Sequence, residues 1–474
     1  MSVELRAPTS QLGSERSLSG LERSLSGWGR VSHSRSRVFS VRREEDVLEA
    51  LTQSDSVIAR GAGRSYGDAA QNGGGDVLDM TELRRILSID PERQSITAQG
   101  GATFAQMMAG LSSYGLTLPV VPGTRHVTLA GAIASDVHGK NHHCDGGLAH
   151  HVSALTLYTP RGECLQLSQE IDPDLFYATL GGMGLTGVVA RATLRVEPLA
   201  APWVVADTDR TENLEQTLNL MGEKERNRYS VAWLDLLADG PHLGRAVLSR
   251  ADSWPVGRAA PPRGRTRSRY PDALCRRPAL EVPHGFPAAL VRPLGLRSFN
   301  ALRWRAAPRR EREQPLALAP YFFPLDALGS WNRLYGTRGF FQYQFVIPTG
   351  QETELVRCVR LMSSRRLPVY LAVLKRLGPA FGGPLSFPLE GWTLAADIPA
   401  AAPGLAGALD ELDEIVAGCG GRVYLAKDAR LRPETLASMY PELDRFQAQR
   451  ERVDPGGILR SDLARRVGLC ELSR

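Results

Sequence analysis

The stretch HGKNHHCDGG, residues 138–147, gathers three histidines, a lysine, a cysteine and an aspartate into ten positions. Such a set suits metal ligation, proton transfer, or a crowded polar loop with no chemistry. Metal ligation needs donors on rigid elements at fixed spacing, and an H-x-x-x-H pair serves only on a helix. Gly139, Gly146 and Gly147 argue for a flexible loop, so no metal is expected. A lone histidine is more often a hydrogen-bonded structural group than a catalyst, and that reading suits His142, His143, His150 and His151. His138 and Lys140 stay open to proton transfer. Imidazole titrates near neutrality unperturbed, and an ammonium does so when desolvated or set beside another cation.

Lysine usage sharpens the point. The chain has four lysines, Lys140, Lys224, Lys375 and Lys427, among 57 basic residues. Arginine has replaced lysine wherever a generic positive charge sufficed. A lysine that remains beside other reactive groups is then a candidate for work that an always-charged guanidinium cannot do. Lys140 sits in such company; Lys224, in GEKERN, reads as a surface charge.

These residues must be held by elements that the sequence also outlines. With 474 residues, 43% of them hydrophobic and 23% charged, the chain reads as globular and longer than one core supports. No signal peptide is visible, and no apolar run approaches the roughly 20 residues that span a bilayer. Six cysteines without a C-x-x-C pair suit a reducing compartment. Residues 1–37, with ERSLSG at 15–20 and again at 22–27, read as disordered.

From 38 to 198, β-rich runs alternate with glycine turns. GMGLTG (182–187) matches G-x-G-x-x-G, but a helix precedes it and a strand follows, the reverse of a dinucleotide fingerprint. RGAGRSYGD (60–68) follows a strand and could bind an anion through converging backbone N–H groups. The loop over 121–141 is rich in small residues, which would let a flat ligand lie against the backbone. After 198, strand and helix mix, and FFQYQFVIP, PVYLAVLK, GWTLAADIP and GRVYLAKD read as strands, with a helix over 404–418. Gln342 and Gln344 face one side of their strand, either a solvated sheet face or a pocket wall. Between Pro255 and Glu313 fourteen arginines oppose four acids, and the segment 255–315 reads as a basic, partly mobile insertion.

RGAGRSYGDAAQNGGG, VPGTRHVTLAGAIASDVHGKNHH and GGMGLTG together resemble the FAD-binding domain of the vanillyl-alcohol-oxidase type. With FFQYQFVIP, PLSFP and YLAKDAR, the likeness runs from about residue 38 to the end and weakens in the basic segment. It is nearest to a branch that oxidises the 2-hydroxyl of a polyprenylphosphoryl ribose, the first half of an epimerisation to the arabinose donor of cell walls. The resemblance implies an α+β fold: a two-part FAD domain, 38–198 and 422–474, with a substrate domain, 199–421, inserted on an antiparallel sheet. It places FAD on Ala59, Arg60, Gly61, Ala62, Gly63, Arg64, Ser65, Tyr66, Gly67, Asp68 and Ala69. It adds Gly123, Thr128, Leu129, Ala130, Gly131, Ser135, Asp136, Val137, His138, Val189 and Tyr424. Arg64-Ser65-Tyr66 stands where covalent members carry a histidine, so the FAD is expected to be non-covalent.

For the chemistry, the resemblance implies Lys427 as base or hydroxyl orienter, with His138 next in line. His138 and Lys140 would position flavin and substrate, and Lys375 would meet substrate or its phosphate. Tyr66, Trp233, Gln342 and Gln344 would form the pocket. Phe322, Val231, Thr393 and Ala395 depart from the family's usual tyrosine, serine, asparagine and cysteine. The implied partners are a lipid-linked ribose phosphate as substrate and a separate NAD(P)H-dependent keto-reductase. Segment 255–315, with Phe286, Phe299 and Trp304, either meets anionic lipid or is a solvated insertion. Its arginines lack interleaved aromatics and a recognition module, so nucleic acid is not expected. The expected location is cytoplasmic, peripheral at the inner face of the plasma membrane, with the periplasmic face open. Two rivals stand: an aldonolactone or alditol oxidase of the same fold, and a non-catalytic flavin-binding subunit serving a reductase.

Overall fold

In the computed structural model, which describes residues 19–222, 226–259, 270–275, 278, 280–286 and 293–470, the first element is the strand Leu21–Ser26. It pairs antiparallel with His33–Ser40. This corrects the expectation of disorder over 1–37: the second ERSLSG repeat is a strand, and residues 1–18 lie outside the described residues. Composition misled because the ladder is closed by backbone bonds that any sequence can make. The turn that follows needs its glycines, since a Cβ on Gly27 would lie 2.0 Å from the Gly67 carbonyl oxygen. His33–Ser40 runs parallel to Asp76–Asp79, which runs parallel to Val57–Arg60. The crossover helix Glu44–Gln53 buries Val47, Ala50 and Leu51 and carries Glu44, Glu45 and Asp46 in its first turn, where negative charge complements the helix dipole.

A second, wholly antiparallel sheet has the order Ile86–Asp90, Ser95–Gln99, Val188–Arg195, Val152–Tyr158, Cys164–Leu167. The helix Pro173–Thr179 precedes GMGLTG and the strand Val188–Arg195 follows it, the order read from the sequence. Phe104–Ser112 is stopped at its start by a reciprocal box between Thr103 and Gln106, and Thr128 caps Leu129–Ala134.

Seven strands of the inserted region and an eighth from the C-terminal part, Arg422–Val423, form an eight-stranded sheet, antiparallel throughout. Its order is Arg310–Ala317, Trp203–Thr211, Arg245–Ser253, Tyr229–Asp235, Leu371–Leu377, Gly391–Pro399, Phe340–Pro348, Arg422–Val423. Glu352–Ser364 lays Leu355, Cys358, Val359 and Met362 into the core at helical spacing, and Leu405–Gly418 lies where a helix over 404–418 was expected. In its described residues the basic segment carries regular structure that its composition did not suggest. Pro293–Ala306 is a helix and Arg310–Ala317 an edge strand of the large sheet. Trp304 is buried and donates from its indole to the Thr211 carbonyl at 2.9 Å, and Asn300 donates to Asp235 at 3.0 Å. Two buried anchors outweigh a Pro/Arg-rich composition, because tertiary packing supplies most helical stability in proteins. Residues 260–269, 276–277, 279 and 287–292 of that segment lie outside the described residues.

The last described residues return to the first sheet. Arg460 N–H donates to the Val57 carbonyl at 3.0 Å, and Gly73 N–H to Asp462 at 2.8 Å. Arg466 forms ion pairs with both Asp68 and Asp428, each at 2.8 Å. Both carboxylates are nearly inaccessible, so the arginine is their main compensation for lost solvent.

Candidate active site

The strand Val57–Arg60 empties into the glycine turn at 61–63, and that turn rests on the capping residue of the next helix. A Cβ on Gly61 would lie 2.0 Å from Thr128 Oγ1, and Gly63 has φ +62°. Between this loop, residues 122–138 and the large sheet opens a cleft of about 1860 Å³, solvent at its mouth included. Its walls hold room for something flat: a Cβ on Gly123 would meet nothing within 4 Å, yet the position is glycine. Arg64 lies over the Trp28 ring at 4.0 Å with its buried Nε unpartnered in the protein. A nest of small residues, an unspent guanidinium N–H and a long cleft fit the pyrophosphate and planar rings of FAD.

Of the residues expected on FAD, Ala59, Gly61, Ala62, Gly63, Arg64, Ser65, Tyr66, Ala69, Gly123, Thr128, Ala130, Gly131, Ser135, Val137, His138, Val189 and Tyr424 line the cleft. The other five stand behind them. Arg60 donates to the Ala70 and Ser26 carbonyls, both at 2.8 Å, and Asp68 is held by Arg466. Gly67 packs against the Asp428 carbonyl and Leu129 is core. Asp136, at φ +38°, accepts from Ala149 N–H at 3.1 Å and from the Ser386 hydroxyl. His138 is the one histidine on the cleft among the described residues, so the flavin has no imidazole in the first loop to bond with.

The reacting end is built on strand register. Leu371, Val373 and Lys375 share one face of their strand, as do Gln342 and Gln344 of theirs, with Ala395 between the two rows. Lys427 arrives differently. GRVYLAKD was read as a strand, but the strand stops at Val423 and Lys427 N–H turns back to the Tyr424 carbonyl at 2.9 Å. The turn is imposed by Asp428, whose carboxylate accepts from Arg430 and Leu431 N–H at 3.0 Å and pairs with Arg466. It sets Lys427 Nζ over the Tyr66 ring, 3.6 Å from the centroid.

Burial dominates the electrostatics. It pulls the Lys427 ammonium down to about 7, aided by the charge of Lys375 and opposed by Asp397. Burial also brings Lys375 down to about 8. His138 is pushed well below the usual imidazole range by burial, then by Lys375, His142 and Lys427. It is therefore neutral near pH 7, and its tautomer is legible. Gln344 Nε2 donates to His138 Nε2 at 2.9 Å and to Thr393 Oγ1 at 3.1 Å, and Thr393 in turn donates to the Phe345 carbonyl at 2.9 Å. The His138 proton is then on Nδ1, which is buried without a protein partner.

Two expected site residues are not brought to the cleft. Lys140 donates to the Tyr321 carbonyl and lies 4.0 Å from that ring's centroid, with burial bringing it down to about 7. Trp233 sits opposite Val373 on the neighbouring strand, under the Arg303 guanidinium at 4.8 Å. Alternation put it on the correct face but one strand too far. The loop at 138–147 is also tighter than expected, with a helical turn at His142–Asp145. Its bland histidines are bonded to backbone: His142 Nδ1 accepts from Gly378 N–H at 3.0 Å, and His143, His150 and His151 pair with Asn227, Gly147 and Asp145. Among the described residues no three His, Cys, Asp or Glu side chains group as metal ligands.

Sequence reading missed Trp28, Trp331 and Asp397. Trp28 hid in a Ser/Arg-rich segment. Asp397 was legible in principle, as a carboxylate on the inward register of GWTLAADIP, two residues from Ala395. It is 1% exposed, accepts from Gln342 Nε2 at 2.5 Å and from the Tyr335 hydroxyl at 3.1 Å.

Comparison with known proteins meets this geometry. Residues 36–168 match the FAD binding domain family, and residues 408–467 match the D-arabinono-1,4-lactone oxidase family. The chain is 39% identical over 457 residues to decaprenylphosphoryl-β-D-ribose oxidase of Mycolicibacterium smegmatis, covering 93% of this chain and 96% of that protein. It is 40% identical over 365 residues to an uncharacterized protein in the mprA 5′ region of Streptomyces coelicolor, 75% of this chain and 96% of that one. With L-gulono-1,4-lactone dehydrogenase of Mycobacterium tuberculosis it shares 27% over 425 residues, 89% and 92%. Extended identity, the FAD domain match and a cleft of this shape lead to one assignment: the chain belongs to the FAD-dependent oxidoreductase family of decaprenylphosphoryl-β-D-ribose oxidase, with a vanillyl-alcohol-oxidase type of FAD domain and an inserted antiparallel substrate domain.

Proposed function

We propose that the protein oxidises the 2-hydroxyl of a polyprenylphosphoryl-β-D-ribose, decaprenyl in the named relative, to the 2-keto sugar. This is the first half of epimerisation to the arabinose donor for cell-wall arabinan. The observation that carries the reading is the pair Lys375 and Lys427, two of four lysines in an arginine-rich chain, both half-buried on the cleft beside His138. Held non-covalently by the glycine turn and the 122–138 wall, FAD would supply the acceptor for the hydride of the carbinol carbon. The protein does the rest. Neutral Lys427 takes the hydroxyl proton, a role open to it because it titrates near 7. Lys375, higher at about 8, keeps its charge for the substrate phosphate. Gln344 fixes the ring of His138, which offers Nδ1–H as a donor. Leu371, Val373 and Ala395 line the same face and keep water out.

Anaerobic mixing with polyprenylphosphoryl ribose should bleach the flavin within one turnover. No bleaching by that substrate, with bleaching by soluble lactones or alditols, would favour the rival reading, which the match of 408–467 to a lactone oxidase family supports. Bleaching by neither would leave a flavin-binding subunit without turnover. Acid or heat should release the FAD intact; flavin that stays with the precipitate would reveal a covalent bond.

The keto product requires a hydride donor to complete the epimerisation, which a separate NAD(P)H-dependent keto-reductase would supply. The substrate's lipid directs the protein to a membrane surface, and we place it at the inner face of the plasma membrane. No described helix is long and apolar enough to cross a membrane. Phe299 and Leu302 are 56% and 67% exposed on the helix Pro293–Ala306, and Arg305 follows at the same spacing. An apolar pair beside a cation suits an anionic lipid surface. Changing Phe299 and Leu302 to serine and Arg305 to glutamate should reduce sedimentation with phosphatidylglycerol vesicles several-fold and spare flavin content. Unchanged sedimentation would return the helix to a solvated insertion.

A further inference from the structure

The carboxylate of Asp397 has no part in the chemistry proposed above, yet it occupies a costly position. It lies on Gly391–Pro399, opposite Gln342 on one side and Leu371 on the other. Both of its oxygens are committed, Oδ1 to Gln342 Nε2 at 2.5 Å and Oδ2 to the Tyr335 hydroxyl at 3.1 Å. Tyr335 is itself fixed, stacked on Phe340 at 3.9 Å and on Tyr370 at 5.0 Å. A buried carboxylate without a guanidinium partner is expensive. In a structural role an asparagine would accept from Gln342 and donate to the Tyr335 oxygen, at lower desolvation cost.

We infer that Asp397 is a positioning residue for the oxidation, holding the Gln342 amide against the cleft and supplying the counter-charge that Lys427 needs where it lies over Tyr66. Gln342 spends one N–H on Asp397, which turns the remainder of its amide towards the cleft and Tyr66. Lys427 rests on the face of that same ring. One acid thus reaches the base along two routes, through the Gln342–Tyr66 contact and through space.

The electrostatics agree in sign. The groups acting on Lys427 are Lys375, which lowers it, and Asp397, which raises it. Neutral His138 and the Tyr66 ring lie beside it. Asp397 itself is pushed up to about 6 by burial, against the bonds from Gln342 and Tyr335 and the charge of Lys427. Above that pH it is an anion. Neutralising it removes the charge that favours the Lys427 ammonium, so the base should lose its proton at lower pH.

The inference rests on Lys427 acting as base in the proposed oxidation, and the test separates the two. Wild-type holoenzyme and Asp397→Asn are mixed anaerobically with polyprenylphosphoryl ribose, and the rate of flavin bleaching is followed against pH. Asparagine keeps the acceptor for Gln342, reverses the Tyr335 contact so that its amide donates to the hydroxyl oxygen, and removes the charge. We expect full FAD content, a slower plateau, and an acid limb moved down by about one pH unit, the scale of one nearby opposite charge. Asp397→Glu, which keeps the charge and disturbs the geometry, should lower the plateau and leave the limb in place. In a Lys427→Ala background Asp397→Asn should change the residual rate less than twofold. A limb that stays put in Asp397→Asn, or moves equally in Asp397→Glu, overturns the inference. Should Asp397→Asn fail to fold, the glutamate limb and its loss of rate decide alone. Absence of bleaching in the wild type would instead sink the proposed substrate.

Discussion

Lys427→Ala is expected to slow flavin reduction by substrate by roughly a thousandfold, within the range that a positioned acid or base contributes, while FAD stays bound. The side chain is the group that the fold has prepared for proton transfer. It is half-buried on the cleft and set on the Tyr66 ring, and desolvation, with the charge of Lys375, brings it down to about 7. Its ammonium rests on the Tyr66 ring, not on the glycine turn at 61–63 that would hold the pyrophosphate, so cofactor content and substrate reduction should separate. Lys427→Arg should recover little, because guanidinium keeps its proton at any working pH. In the intact enzyme the rate should rise as pH passes upward through about 7, since the neutral amine is the active form. Near-normal bleaching in both variants would move the base to His138.

Gly67→Ala should be as damaging by a wholly different route. An added Cβ would lie 1.7 Å from the Asp428 carbonyl oxygen and 2.7 Å from its carbon, and both neighbours are backbone. No rotamer relieves such a clash. Loop 61–68 and turn 424–428 would have to part, which separates Tyr66 from Lys427 and loosens the Arg466 pairs with Asp68 and Asp428. The cost should be about 3 kcal/mol, the upper end for overpacking, with most of the bound flavin lost. Chemical denaturation and the ratio of flavin to protein absorbance would measure both. A variant of normal stability and full colour would mean that this contact is slack in solution.

What the sequence made legible was chemistry with a strong residue bias. Against a background that favours arginine, Lys375 and Lys427 stood out, and the structure buries both on one cleft. Glycine loops were legible because their neighbours leave no room for a Cβ, as at Gly61. Lys140 shared the bias but not the location, since rarity reports selection and says nothing of direction; its ammonium faces Tyr321. Trp233 failed for a related reason. A period of two fixes the face of a strand and leaves the neighbour across the sheet undetermined. The turn at Tyr424–Asp428 was invisible because Arg466, which holds Asp428, lies 38 residues further on. The order of the N-terminal strand was hidden likewise, since its hydrogen bonds depend on residues 33–38 and not on its own composition.

The ion pair between Arg466 and Asp68 closes a loop of 398 residues. Closing so long a loop is entropically costly, and this contact is expected to form after the intervening sheet. During synthesis, the nest that receives the pyrophosphate emerges early and must wait for the far end of the chain before its wall is complete. Flavin captured by this protein is thus a receipt for finished folding: colour should develop only on chains that have already threaded the large sheet and locked Arg466. In a refolding experiment, recovery of bound flavin should trail recovery of β-structure, and the lag between them would time the final closure.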